Sequence, residues 1–221
     1  MPATERCQCR QSAYLTCKCT PMPLLQWLDH LDKILLLMIQ NDSDHEILDR
    51  IMPVLRDAYT WIPLYAFMLY YSWRKMGKNC WSFIVLSLLT FAITDSLTTQ
   101  ILKPWFGRLR PCHDPELTSL VREVIDCGGL YSMPSTHAAN HFGLAAFWYF
   151  AVREIGSAKW KWLWLWAAAV CYAQVYVGKH FPSDVLIGGL IGTVTGMGIA
   201  RVFYLWWHRR GAFARFNISL M

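Results

Sequence analysis

The chain has 221 residues, 55% of them hydrophobic and only 16% charged, with 12 tryptophans and a formal net charge of +6. That much apolar surface exceeds what a soluble domain of this length needs, and several stretches reach or approach the roughly 17–25 residues of a membrane-spanning helix. The positive charge does not point to nucleic acid, because no basic face interleaves with aromatics as single-strand binders require.

Residues 1–21 lack the long apolar core of a signal peptide and are predicted to form an unstructured extension, with Met22 an alternative start. Their two Cys-x-Cys pairs, Cys7 with Cys9 and Cys17 with Cys19, match no familiar zinc spacing and have no histidine nearby. Residues 24–40 are apolar but carry Asp29, His30, Asp32 and Lys33. Leu28, Leu31, Leu35 and Met38 fall at near-helical spacing, so this segment reads as a helix lying on the membrane surface, with a poor sixth span as the alternative.

Five apolar stretches follow. The first is centred on residues 61–73 and starts near Pro53, with Arg56 and Asp57 near the interface; the others cover residues 81–102, 138–152, 160–177 and 185–207. The predicted fold is all-α: one polytopic membrane helix bundle over residues 22–207, about five spans plus an N-terminal interfacial helix, with a cytoplasmic tail at 208–221. Asp95 inside the second span is costly in lipid and is expected to face the bundle interior. The series Gly188, Gly189, Gly192, Gly196 and Gly198 reads as close helix packing.

Loop charge orients the bundle. Arg74, Lys75 and Lys78 join the first two spans, Arg153, Lys159 and Lys161 join the third and fourth, and Arg209, Arg210 and Arg215 follow the last. In a five-span bundle all three groups share one face, which the positive-inside rule makes cytoplasmic. The opposite face receives the hairpin 103–137 and the turn 178–184.

Three chemical stretches meet on that opposite face: "KPWFGRLRP" from Lys103, "PSTH" from Pro134 and "KHFPSD" from Lys179. Lys103 and Arg110 are cations able to grip phosphate oxygens. Pro134 and Ser135 are helix-start residues directly before an apolar run, and Pro182-Ser183-Asp184 precedes the last span in the same way. Two helix N-termini would then present free N–H groups to one anion. Pro182 argues against a single helix through His180 and Asp184, but an Asp at a helix start can bend back to an imidazole and fix its tautomer. Two histidines, a carboxylate and fixed cations suit phosphoryl transfer through a histidine.

These residues resemble the type 2 phosphatidic acid phosphatase family, whose pattern is Lys-x6-Arg-Pro, Pro-Ser-x-His and Ser-Arg-x5-His-x3-Asp. Lys103 with Arg110-Pro111 matches the first part, Pro134 to His137 the second, and His180 with Asp184 the end of the third. The resemblance implies that His180 attacks phosphorus, Asp184 orients it, and His137 protonates the leaving oxygen and then activates water. It implies that Lys103, Arg110 and Ser135 hold the phosphate, with no metal ion and no cofactor. Its implied substrates are lipid phosphates of bacterial membranes: polyprenyl diphosphates such as undecaprenyl diphosphate, phosphatidylglycerol phosphate and lipid A phosphates. The resemblance together with the loop charge implies a bacterial inner-membrane location with the site facing the periplasm or exterior.

One departure stands out. The family's Ser-Arg pair falls at Ala173-Gln174, so Gln174 takes the phosphate-binding position with a neutral amide in place of a cation. Charge-assisted hydrogen bonds are about twice as strong as neutral ones. Arg108 and Lys179 are candidates for the replacing charge. The expected function is a membrane lipid phosphate or diphosphate phosphatase, or a phosphotransferase using the same phosphohistidine, with a catalytically weakened lipid-phosphate-binding protein as the alternative. Cys112 and Cys127 are expected to form a disulfide in the outer hairpin, while His113, Asp114 and Glu116 read as a solvated loop.

Overall fold

The structure, a computed structural model, describes residues 5–11, 15–21, 23–41 and 46–218. Near the N-terminus β1 (Glu5–Gln11) and β2 (Leu15–Pro21) pair antiparallel, with Cys7 opposite Cys19 and Cys9 opposite Cys17. This corrects the expectation of an unstructured extension. Cys7 and Cys9 alternate with Arg6, Gln8 and Arg10, and Cys17 and Cys19 with Thr16, Lys18 and Thr20, the period-two pattern of a strand.

The other regular elements are helices: α1 (Leu24–Asn41), α2 (Glu46–Arg56), α3 (Ile62–Met76), α4 (Cys80–Ser96), α5 (Lys103–Phe106), α6 (Thr136–Gly156), α7 (Trp162–Tyr176) and α8 (Pro182–Ile218). The five expected spans fall on α3, α4, α6, α7 and α8. The stretches 58–106 and 182–209 are long and apolar enough to cross a bilayer. The outward faces are apolar too: Val85, Leu88, Phe91, Leu165, Leu186 and Leu190 are all exposed, which suits lipid and not water. The segment expected to be a tail from residue 208 continues α8 to Ile218.

Helices α6 and α8 form the centre. A Cβ added to Gly188 would lie 2.3 Å from the Ser135 carbonyl oxygen, one on Gly192 2.1 Å from that of Ala139, and one on Gly196 2.2 Å from that of Gly143. Three glycines at i, i+4 spacing therefore let α8 ride directly on the α6 backbone, as small residues do between helices in lipid. Gly189 faces the Phe142 ring, and Gly198 meets nothing. Phe83, Phe147 and Phe203 then join α4, α6 and α8, with ring centroids 5.3–6.4 Å apart.

The two ends of the bundle differ. At one end Trp160 packs on Tyr71 at 4.5 Å, Trp206 on Trp81 at 5.9 Å, and His208 Nε2 lies 3.0 Å from Glu154. This end gathers the basic loops 74–78 and 153–161. The other end carries the segment 107–135 and the turn into α8.

α1 is amphipathic with its apolar side outward. Leu28, Leu31, Leu35 and Met38 are exposed, whereas Asp32, Leu36 and Gln40 are buried against the protein. Gln40 donates to the carbonyls of Arg122 (3.1 Å) and Tyr176 (3.0 Å) and accepts from the Arg122 N–H (3.1 Å). The stripe read as membrane-facing thus faces outward, and the polar side holds the outer segment against α7.

Candidate active site

Lys103 is placed by an irregularity. The α4 helix ends at Ser96, and Leu97–Leu102 runs on as a π-helix before α5 begins at Lys103. Such widened turns re-aim the residues that follow and recur at functional sites. Beside it a polar track links α4 to α6. Asn140 donates to Asp95 (3.1 Å), Thr94 donates to Asn140 (2.6 Å), and Thr98 donates to Thr136 (3.1 Å). Asp95 therefore faces inward as expected, and this track fixes α4 against the start of α6.

The two helix starts lie side by side. Ser135 caps α6, its buried Oγ accepting from the Ala138 N–H at 3.4 Å. The Ser135 N–H donates to the Asp184 carbonyl at 3.0 Å. α8 begins at Pro182, so His180 precedes the helix and Asp184 is its third residue. The Asp184 carboxylate bends back to accept the Phe181 N–H at 2.8 Å, half of a capping box. The same oxygen lies 3.6 Å from His180 Nδ1. That approach leaves Nε2 as the ring nitrogen free to meet a substrate.

His180 is buried. Burial pulls its imidazole down to about 4, against the opposing pull of Asp184. At neutral pH it is a free base with an available lone pair. The turn carrying it depends on Gly178, whose φ is +76° and where a Cβ would come within 2.9 Å of Gln40 and Val121.

Arg110 enters from the other side of the site. Its Nε donates to the Tyr131 carbonyl (3.3 Å), Nη1 donates to the Cys127 carbonyl, and its own N–H donates to the Leu130 carbonyl (3.0 Å). Cys112 and Cys127 form a disulfide with Cα atoms 6.1 Å apart, so the bridge braces the carbonyl that Arg110 holds. Closing a loop of 15 residues contributes about 3 kcal/mol in the chain-entropy model. Changing both cysteines to serine is expected to lower the unfolding temperature in detergent and to weaken phosphate binding; unchanged values for both would refute this bracing. The disulfide also occupies two members of the cluster Cys112, His113 and Cys127. Asp114 and Glu116 pair with Lys33 at 3.0 and 2.8 Å.

Lys103, Arg110, His180 and Asp184 lie within electrostatic reach of one another, and His137 lies within reach of His180 and Lys103. The structure thus brings these five expected residues together, with Ser135 bonded to Asp184. Gln174 is fully buried on the last turn of α7, with neither side-chain polar atom hydrogen-bonded; its carbonyl accepts the Lys179 N–H at 3.3 Å.

The two candidate replacement cations part company. Lys179 Nζ and the Arg110 guanidinium both lie beside Gly128. Burial, then repulsion from Arg56 and Arg110, holds the Lys179 amine down at about 8. Arg108 is engaged elsewhere: it donates to Ser183 Oγ (2.7 Å) and Asp184 (3.0 Å) and pairs with Asp32 (2.8 Å) and Asp29 (3.1 Å). Its guanidinium also lies 3.9 Å above the Phe181 ring. Arg108 therefore clamps α1 to the start of α8 and does not face the phosphate residues as a free cation.

A profile of the PAP2 superfamily matches residues 83–211. The chain is 30% identical over 178 residues to a lipid A 4'-phosphatase of Bacteroides thetaiotaomicron, covering 78% of this chain and 77% of that protein. It is 28% identical over 172 residues to a lipid A 4'-phosphatase of Porphyromonas gingivalis, covering 76% and 71%. Two solved structures share the fold. One is the first transmembrane PAP2-type phosphatidylglycerolphosphate phosphatase from Bacillus subtilis, with TM-score 0.61, 20% identity and coverage of 80% and 85%. The other is Aquifex aeolicus LpxE, with TM-score 0.55, 24% identity and coverage of 77% and 95%.

Proposed function

The chain belongs to the PAP2 superfamily and is an integral membrane protein, and on that premise we propose that it is a lipid phosphate phosphatase working through a phosphohistidine. The observation that carries this reading is the buried, neutral His180 held beside Asp184 within reach of Lys103 and Arg110. His180 Nε2 attacks phosphorus as the bond from phosphorus to the lipid oxygen breaks. His137 gives its proton to that oxygen; the charge of the bound phosphate favours the imidazolium it needs. His137 then takes a proton from water, and the resulting hydroxide displaces His180 and releases inorganic phosphate. Lys103, Arg110 and Ser135 hold the phosphate oxygens throughout, and no metal enters the scheme.

Both curated relatives are lipid A 4'-phosphatases, which makes a sugar-linked lipid monophosphate the favoured substrate over polyprenyl diphosphates. The basic loops at the opposite end of the bundle support a site on the non-cytoplasmic face of the inner membrane. The test is phosphate release from a panel of lipid A, phosphatidylglycerol phosphate and undecaprenyl diphosphate with EDTA present. Release from lipid A in EDTA is the expected result. Turnover that needs added metal would refute the metal-free scheme, and binding without turnover would favour the weakened-binder alternative.

A pH dependence follows from His180. Protonation removes the attacking lone pair, and the free-enzyme value lies near 4. Because kcat/KM reports free-enzyme ionisations, its acid limb from this group is expected near pH 4. An acid limb near the ordinary histidine value of about 6.5 would contradict the buried neutral state.

A further inference from the structure

Arg56 closes α2 and appears in none of the three motifs. Met52, one helical turn earlier, is buried against Ala173, Tyr176 and Val177, with Leu48 and Leu55 beside it. Arg56, one turn beyond Met52, therefore lies on the face of α2 that packs on α7. The chain passes along α7 from Asp49, which accepts from the Tyr176 hydroxyl at 2.7 Å, to Trp61, whose ring lies 5.7 Å from that of Trp166. Arg56 lies between these two contacts. Its Nε is buried with no hydrogen-bond partner, and among the described residues no carboxylate forms an ion pair with it. Its charge is nonetheless felt by His137 and Lys179, and it lies within reach of the Arg110 charge.

A buried guanidinium nitrogen without a partner is costly unless an anion completes it. The groups within electrostatic reach of Arg56 are the attacking site's own cations and acid histidine, and α7, the helix that α2 packs against, carries a buried glutamine whose amide is equally unpartnered. An oxyanion is the ligand class that satisfies all of these donors together, and a planar guanidinium suits phosphate oxygens.

We propose that Arg56 is a phosphate-binding residue, supplying from α2 the third cation that the family pattern places at position 174. This rests on the phosphatase reading for its substrate, but its core claim concerns only an oxyanion seat. Arg56 and Gln174 then form one unit: the cation has moved to a neighbouring helix, and a neutral residue at 174 keeps two positive charges from crowding the same oxygen.

The test uses the full chain in detergent with orthovanadate as probe, its affinity read by calorimetry, alongside phosphate release from the lipid that the unaltered protein hydrolyses. Arg56→Gln is expected to weaken vanadate binding and lower kcat/KM by about ten- to a hundredfold, the range for losing one charged hydrogen bond. Arg56→Lys should retain most of the folding stability and lose less affinity. Adding Gln174→Arg to Arg56→Gln should restore vanadate binding. Vanadate affinity within twofold of the unaltered protein in Arg56→Gln overturns the proposal, as does a loss that Gln174→Arg leaves unrelieved. Vanadate reads the seat whether or not any lipid is turned over. Weakened vanadate binding in a protein inert toward every lipid would keep Arg56 in its role and remove the phosphatase reading instead.

Discussion

Replacing His180 with alanine is expected to reduce phosphate release by on the order of 10^4-fold or more, the scale seen when a covalent nucleophile is removed from a site that otherwise binds its substrate normally. The remaining cations still gather the phosphate, so vanadate or inorganic phosphate should bind the variant with little change. Burial frees the imidazole from protonation, and Asp184 near Nδ1 directs the other nitrogen outward. His137 is within reach of His180, and its loss should be comparably severe but different in kind. A single turnover of His137→Ala on an aryl phosphate, whose leaving group needs no acid, stopped in alkali, should retain phosphate on the protein through an acid-labile bond, because water attack lacks its base. The measurement is phosphate release under saturating lipid, with thermal unfolding in detergent as a control for folding. Near-normal turnover in His180→Ala would remove the phosphohistidine mechanism altogether.

The residues of that mechanism were legible because their spacing is local: a Lys with an Arg seven positions on, a Ser two before a His, and a His four before an Asp. The helices were legible for the same kind of reason, since a segment that faces lipid must stay apolar along its whole length. α1 was legible by its stripe, and the structure turns that stripe outward. What local spacing does not carry is pairing across the chain. Asp32 receives the Ser183 N–H at 2.9 Å across 151 residues, and no pattern in either segment announces it. The π-helix before Lys103 also lacks a sequence mark, as its apolar and threonine residues fit an ordinary turn. Arg56 left a faint one. It is a cation at the mouth of a span, with Met52 and Thr60 at the flanking helical positions where a pairing acid would stand. The N-terminal alternation of cysteines with polar residues is a local signal too, the period-two pattern of a strand.

Arg108 is where sequence and structure differ most in consequence, and Arg108→Ala is expected to damage stability more than phosphate affinity. The side chain reaches Asp184, which is fully buried, and Asp32, which is 6% exposed. Deleting the shared cation leaves both carboxylates buried with their charge uncompensated. Breaking a buried pair in this way costs about 3–5 kcal/mol. The Ser183 hydroxyl, which donates to Asp32 and accepts from Arg108, loses its place as well, so α1 is released from the start of α8. The nucleophile then suffers indirectly, because Asp184 no longer has one oxygen fixed at 3.0 Å by Arg108 while the other faces His180. Thermal unfolding in detergent should therefore fall sharply, and kcat should fall with little change in KM for the variant that remains folded. Adding Asp32→Asn should recover part of the lost stability, because it removes one of the stranded charges without touching the phosphate residues. The opposite pattern, an unchanged unfolding temperature with a raised KM that Asp32→Asn does not relieve, would place Arg108 on the substrate and end its assignment as a clamp.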